Sequence, residues 1–305
     1  MSGGDQTGAG VGVYGKVSSQ PDFFRLGAGA FSQAGLDRWL QEGVEVLRAE
    51  RSQLPAAPTA FLLAPSGAAT LFTGVLVPSA DAAGRSFPLA LFTEVPPAAA
   101  RDTLPSLPTA AAPFVAGASA ALGGVPPDGD ELTRRVQGMN QTMPGGLTPL
   151  PEPHAWKNEP VGALVGMLGS PAALAYALRT LVAACERAAG AAATAGNALT
   201  VQAPIFGPAQ SALWLEVARR RLGATIPSLL WTAEGEGNLL VTLGPPAPLA
   251  LAFVANPRHR STRLWPLRTA VASAADQAWA ALEPSQRQAI EEPYGTLGDL
   301  AASFG

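Results

Sequence analysis

The chain has 305 residues, 48% apolar and 14% charged, against about 25% charged in an average globular domain, so it is too apolar and too weakly charged for intrinsic disorder. Twenty basic and twenty-three acidic side chains give a net charge of -3, which removes the broad positive field that non-specific nucleic-acid or anionic-membrane binding needs. One cysteine, Cys185, excludes an internal disulfide, and two histidines, His154 and His259, leave no cluster at zinc-ligand spacing, so neither metal nor cofactor is expected.

At roughly 150 residues per domain the length predicts two. The first ten residues show no basic stretch followed by an apolar one, so a secretory signal is not expected and the expected location is cytoplasmic. The longest strongly apolar uncharged run, Pro160 to Leu178, is interrupted by Gly162, Gly166, Gly169 and Pro171 and fits a membrane span of about 20 apolar residues poorly.

Val11 to Val17 alternates like a first strand, and Phe23-Phe24 restarts apolar character after Ser18-Ser19-Gln20-Pro21. Leu36, Trp39, Leu40, Val44 and Leu47 fall on one face of a helix. Ala60 to Ala64, a turn at Pro65-Ser66-Gly67, Thr70 to Val77, and Phe87 to Val95 read as three strands of an antiparallel sheet. Pro and Ala dominate from Pro96 to about Gly124, with only weak helical signals. Gly138 to Pro160 is rich in Pro and Gly and reads as a linker. The expected partition is residues 1–137, a linker at 138–160, and a second α+β domain at 161–305.

The second half opens with a helix capped by Ser170 and started by Pro171, which places Cys185 in the core. Gln210 to Leu222 reads as a helix with Arg219-Arg220-Arg221 in its last turn and Gly223 as its stop. Ser228 to Thr232 and Leu239 to Leu243 form a hairpin around Glu234 and Glu236, Leu249 to Val254 reads as an added strand, and helices return from Thr269 to Leu282 and after Pro284.

Gly10-Val11-Gly12-Val13-Tyr14-Gly15-Lys16 matches a glycine-rich phosphate loop in letters only. No strand precedes it, Val17 stands where Ser or Thr holds magnesium, and Pro21 stops a helix. His154 lies in the Pro-rich stretch, and His259, between Arg258 and Arg260, has no orienting carboxylate near it in sequence. The Pro78 to Pro88 loop places Ser79, Asp81 and Arg85 together, either as a polar staple or as a recognition surface. Arg258, His259, Arg260, Ser261, Thr262 and Arg263 form a second polar cluster, either a solvated loop or a site for an acidic or phosphorylated partner.

Three blocks carry a family resemblance. Tyr14-Gly15-Lys16 with Asp22-Phe23-Phe24-Arg25, then Asp37-Arg38-Trp39, then Pro78-Ser79-x-Asp81-x-x-Gly84-Arg85-x-Phe87-Pro88, together resemble the N-terminal signature of the TagF (ImpM) family of type VI secretion-associated proteins. Pro21 stands where the family usually has glycine. The resemblance covers about Val11 to Phe92 and implies an α+β domain, a mainly antiparallel sheet with helices packed on it, with a longin-like arrangement as one form. It implies a non-catalytic accessory protein of the cytoplasm that regulates, typically represses, apparatus assembly after translation. The implied partner is a forkhead-associated scaffold or another type VI component. Tyr14, Gly15, Lys16, Asp22, Phe23, Arg25, Asp37, Trp39, Pro78, Ser79, Asp81, Gly84, Arg85, Phe87 and Pro88 are the motif or partner-binding candidates. A phosphate-handling enzyme built on Lys16 and a permanent structural subunit of the machine are the alternatives.

Overall fold

Strands in this chain are apolar almost throughout, which is the mark of a sheet covered on both faces. The computed structural model describes residues 10–67, 69–123, 128–142, 147–190, 194, 196–232 and 237–305. Strands β1 (Gly12–Gly15), β2 (Phe24–Leu26), β3 (Thr59–Leu63), β4 (Leu71–Val77) and β5 (Leu89–Val95) come from the first half. The second half supplies β6 (Thr200–Ile205), β7 (Ser228–Thr232), β8 (Gly237–Thr242) and β9 (Leu264–Pro266). All nine lie in one sheet of order β2-β1-β5-β4-β3-β7-β8-β6-β9. Every neighbouring pair is antiparallel except β6 and β9, so the sheet is mixed at one edge. The fold is α+β, as the sequence implies.

The halves meet in the middle of that sheet, where Thr59 faces Thr232, Phe61 faces Leu230 and Leu62 faces Leu229. The Ser228 hydroxyl reinforces the joint, since its Oγ accepts the Ala64 N–H at 3.0 Å and donates to the Gly244 carbonyl at 3.3 Å.

Alternation along each strand sends residues to two separate cores. Ala60, Leu62, Val75, Leu89, Leu91, Leu229 and Val241 point into the larger core. It is covered by α3 (Pro97–Thr103), α4 (Leu107–Leu122), α5 (Gly129–Thr142), α6 (Val161–Leu168), α7 (Pro171–Ala189), α8 (Pro208–Leu222), α10 (Ala272–Ala280), α11 (Pro284–Glu291) and α12 (Leu297–Phe304). Tyr14, Phe61, Leu63, Phe72, Phe92 and Leu240 point the other way, under α1 (Gly29–Gln33), α2 (Leu36–Ala49) and α9 (Ala250–Ala255). Helix α2 buries Leu36, Trp39, Leu40, Gly43, Val44 and Leu47, one face at helical spacing, and each large side chain among them contributes about 1.5–3 kcal/mol by leaving water.

Several expectations change. Leu249 to Val254, read as a strand, is helix α9, with Ala250, Leu251, Ala252 and Phe253 all buried; a short apolar run carries no period that separates strand from buried helix. The Pro/Ala stretch from Pro96 holds two helices, because Ala110, Ala111, Phe114, Ala118 and Ala121 recur on one face of α4 despite Pro113 inside it. Of the stretch read as a linker, residues up to Thr142 belong to α5. Farther along, Thr148 N–H binds the Ala110 carbonyl at 2.9 Å, Ser106 Oγ donates to the Pro153 carbonyl at 2.6 Å, and Trp156 is buried, so residues 147–160 lie on the body of the protein. The Glu234-Glu236 hairpin tip lies outside the described residues. Ser170 caps α7 as expected, accepting the Ala173 N–H at 3.1 Å. Cys185 is fully buried, which pushes its thiol up to about 12. No single described helix is long and apolar enough to cross a membrane; α6 and α7 pass that test only as a pair bent by 96°.

A fragment ending at Thr142 exposes the β3 edge that β7 covers. It is expected to self-associate and to bind a hydrophobic dye strongly where the full chain does not, which size-exclusion chromatography and dye fluorescence compare directly.

Candidate functional site

Strand β1 ends on Gly15, whose φ is +146°, and a Cβ there would lie 2.3 Å from the Pro88 carbonyl oxygen and 2.7 Å from Leu89 Cα. Only glycine lets β1 approach β5 so closely. The next residue, Lys16, is therefore delivered under the β4–β5 loop, where its Nζ donates to Asp81 Oδ2 at 2.6 Å. Gly84, at φ +76°, turns that loop back on itself. The turn aims the Ala83 and Arg85 N–H groups at Asp81 Oδ1, both at 2.9 Å. Arg85 Nε reaches Asp81 Oδ2 at 2.7 Å, and Arg85 Nη2 donates to the Pro21 carbonyl at 2.7 Å. Ser79 Oγ donates to the Lys16 carbonyl at 2.7 Å, the Phe87 N–H to the Ser79 carbonyl at 2.9 Å, and the Ala82 N–H to the Gln20 carbonyl at 3.1 Å. The loops 16–23 and 78–88 are thus one hydrogen-bonded unit at one end of the sheet.

Asp81 is its centre. The carboxylate side chain is 0% exposed, while Lys16 keeps 10% and Arg85 58% of their side chains in solvent. The hydrogen bond from Lys16 is the largest influence on Asp81. Together with the Arg85 N–H and guanidinium and the Ala83 N–H it outweighs the opposing effect of desolvation and holds the carboxyl well below the usual carboxylate range. Four donors consume both oxygens, so Asp81 is a structural anion and not a free base.

An aromatic cluster supports the unit from inside. Tyr14 stacks on Phe23 at 5.4 Å, Phe23 meets Phe87 edge-on at 4.8 Å, and Tyr14 lies 6.0 Å from Phe31, which stacks on Phe92 at 4.2 Å. Lys16 Nζ lies 5.4 Å from the Phe23 ring and the Arg25 guanidinium 5.5 Å from Tyr14. The Tyr14 hydroxyl accepts from Gln41 Nε2 at 3.2 Å, which ties the cluster to α2.

The fifteen motif candidates therefore divide by position. Tyr14, Gly15, Lys16, Ser79, Asp81, Gly84, Arg85, Phe23 and Phe87 meet in the unit just described. Pro88 is buried beside Gly15, whereas Pro78 is exposed. Asp22 and Arg25 are exposed on the adjoining loop and β2. Trp39 is 4% exposed in the core under α2, its indole N–H unpartnered among the described residues. Asp37 stands in the first turn of α2, where a carboxylate offsets the helix dipole, and its Oδ1 accepts the Arg38 N–H at 2.8 Å. The structure does not bring Asp37 or Trp39 to the loops.

The glycine-rich run is strand β1 rather than a phosphate loop, and its lysine is engaged by Asp81. His154 is exposed, but His259 has an acidic partner after all, Glu50 at 2.8 Å from its Nε2, 209 residues away and invisible to local reading. The acceptor carbonyls of Gln20 and Pro21 were missed for the same reason: main-chain groups leave no mark in sequence. Among the described residues no three His, Cys, Asp or Glu side chains lie close enough to hold a metal.

This geometry coincides with a family signature. Residues 12–138 match the TagF N-terminal domain family, described as type VI secretion system-associated. That match covers somewhat under half of the chain and likens this segment to a domain of proteins associated with type VI secretion, the TagF proteins. Among solved structures, PA0076 from Pseudomonas aeruginosa PAO1 is 19% identical with a TM-score of 0.46, over 84% of this chain and 98% of that one. No curated protein matches the chain.

Two predictions follow from the buried anion and its glycine. Asp81 is ionised more readily folded than unfolded, so its contribution to stability is complete above about pH 5 and fades as pH falls through the ordinary carboxylate range near 4 toward its lower folded value. Asp81→Asn is expected to unfold at lower urea than the native chain at pH 7, with the gap narrowing steadily toward pH 3; a gap independent of pH contradicts this account. Gly15→Ala forces a side chain into left-handed backbone and against the Pro88 carbonyl, and is expected to cost about 2 kcal/mol or more in urea unfolding.

Proposed function

We propose that this chain is a non-catalytic accessory protein of a type VI secretion system that regulates apparatus assembly by binding a partner, and that the two-loop unit is the binding surface. The TagF N-terminal domain supports association with the secretion system. The observation that carries the binding reading is the state of the loop's ionisable groups. Lys16 and Asp81 neutralise each other in a buried pair, so the groups an enzyme would need for phosphate contact or proton transfer are occupied in holding shape. What the unit offers outward is a fixed contour: exposed Asp22, Arg25, Ala82, Ala83, Gly84 and Ser86, and the half-exposed Arg85. Rigid, preorganised loops lose little entropy on binding, which suits a recognition surface. Repression after translation, in the cytoplasm and through a forkhead-associated scaffold, is the form of regulation the family resemblance favours.

Ala83 separates surface from scaffold, because its side chain is exposed and only its N–H serves Asp81. Ala83→Arg is expected to keep the thermal midpoint of the native protein while reducing recovery of type VI components in an affinity pull-down from the host by about tenfold. Arg85→Ala lowers both. Undiminished recovery with Ala83→Arg moves the interface elsewhere, and recovery of no secretion component by the native chain rejects the reading.

A further inference from the structure

The far end of the sheet carries a second surface that the loop unit does not explain. The segment between α9 and β9 holds Arg258, Arg260 and Arg263, all exposed, and among the described residues none of their guanidiniums makes an ion pair or hydrogen bond. Three unopposed cations within six residues are unusual in a chain whose net charge is -3. The segment is nevertheless held firmly. Gln202 Nε2 donates to the Pro257 carbonyl at 3.0 Å, Asn256 Oδ1 accepts the Arg258 N–H at 3.1 Å, and Thr200 N–H donates to the Arg263 carbonyl at 2.8 Å. The His259 contact to Glu50 pins its middle to the end of α2. These cations project from a fixed backbone.

Beside the segment, a groove of about 630 Å³ runs between α7, α10 and β9. Tyr176, Arg179, Thr180, Ser261, Leu264 and Trp265 line it, and no acidic side chain does. Trp265 and Tyr176 are both partly exposed, and the indole N–H is already satisfied by the Thr262 carbonyl at 3.2 Å, which leaves the ring faces for contact. Exposed Trp, Tyr and Arg on one preorganised surface are the residue types that dominate binding hot spots.

We infer that the Arg258–Arg263 segment and the Tyr176–Trp265 groove form a docking site for an acidic peptide segment of another protein, with its carboxylates on the arginines and an apolar or aromatic side chain in the groove. Three arginines over six residues offer three separate guanidinium forks, a match for several carboxylates in a row. The groove accounts for a peptide over a bare anionic surface, since a lipid headgroup layer has no side chain to place against Trp265. Pro266, which has no N–H, disfavours simple strand addition at the β9 edge.

The test uses the full chain and a short fluorescein-labelled peptide of alternating Asp and Glu around one central Phe, followed by anisotropy at low and at ~150 mM salt. Its Asn/Gln counterpart, a singly phosphorylated neutral peptide and anionic vesicles are the competitors. The acidic peptide is expected to bind at least about tenfold tighter than its amide counterpart and to weaken with salt. Arg258→Ala/Arg260→Ala/Arg263→Ala and, separately, Trp265→Ala are each expected to weaken it about tenfold, with circular dichroism and thermal midpoints near native for the triple variant. Trp265→Phe, which retains the ring, restores most of the affinity if Trp265→Ala proves unstable. Equal binding of the amide peptide, no binding of the acidic peptide, preference for the phosphopeptide or the vesicles, or indifference to both variants overturns the proposal. Ala83→Arg leaves this binding unchanged, so its failure is distinguishable from failure of the loop-unit reading.

Discussion

Pairing between β3 and β7 is the constraint on which the rest depends. Each half of the chain makes a sheet whose best strand is an edge, and neither edge is blunted: β3 carries Phe61, Leu62 and Leu63, and β7 carries Leu229, Leu230 and Trp231. Joining them turns two vulnerable edges into the centre of one sheet and leaves only the three-residue strands β2 and β9 outside. Both cores then run uninterrupted across the joint. Helix α9 from the second half packs on α2 from the first, with Leu251 against Gly43, where a Cβ would meet Leu251 Cδ1 at 2.5 Å.

The family blocks acquire a physical meaning in this frame. Gly15, Lys16, Asp81, Gly84 and Arg85 are a single device in which two glycines bend the chain so that four donors converge on one buried carboxylate. Such a device is intolerant of partial change, because removing one cation leaves the anion desolvated and underpaired. Other charges in the protein follow the same logic in weaker form. Burial alone would raise Glu216, but Arg219 and Arg220 on the following turn outweigh it, and Arg135 is the main cause of the lowered Glu131.

Elements whose signals are local were legible from sequence. The face of α2, the cap of α7 at Ser170, the stop at Gly223 and strands β3 to β5 each depend on residues a few positions apart. The Asp81–Arg85 contact spans four residues and was anticipated, whereas Lys16 lies 65 residues from Asp81 and its role was not. Helix α4 was obscured by Pro108, Pro113 and Gly117, which interrupt most helices, while its small alanines pack closely on the sheet, and the end of α5 was assigned to a linker that begins at Gly138. The shared sheet was the largest gap. Strand pairing is set by complementarity between distant segments, and a composition rich in Pro and Gly between them suggested a boundary where residues 147–160 in fact lie on the body of the protein.

Phe61 and its partner Leu230 are 169 residues apart. On a ribosome adding about 5–20 residues per second, β3 waits on the order of ten to thirty seconds for the strand that covers it. During that interval β4 can protect one side of β3 but nothing of the same chain can protect the other. The central seam is therefore a matter of timing as well as packing, and it makes nascent-chain holding factors, or slow translation after β3, consequential for how much of this protein reaches its sheet.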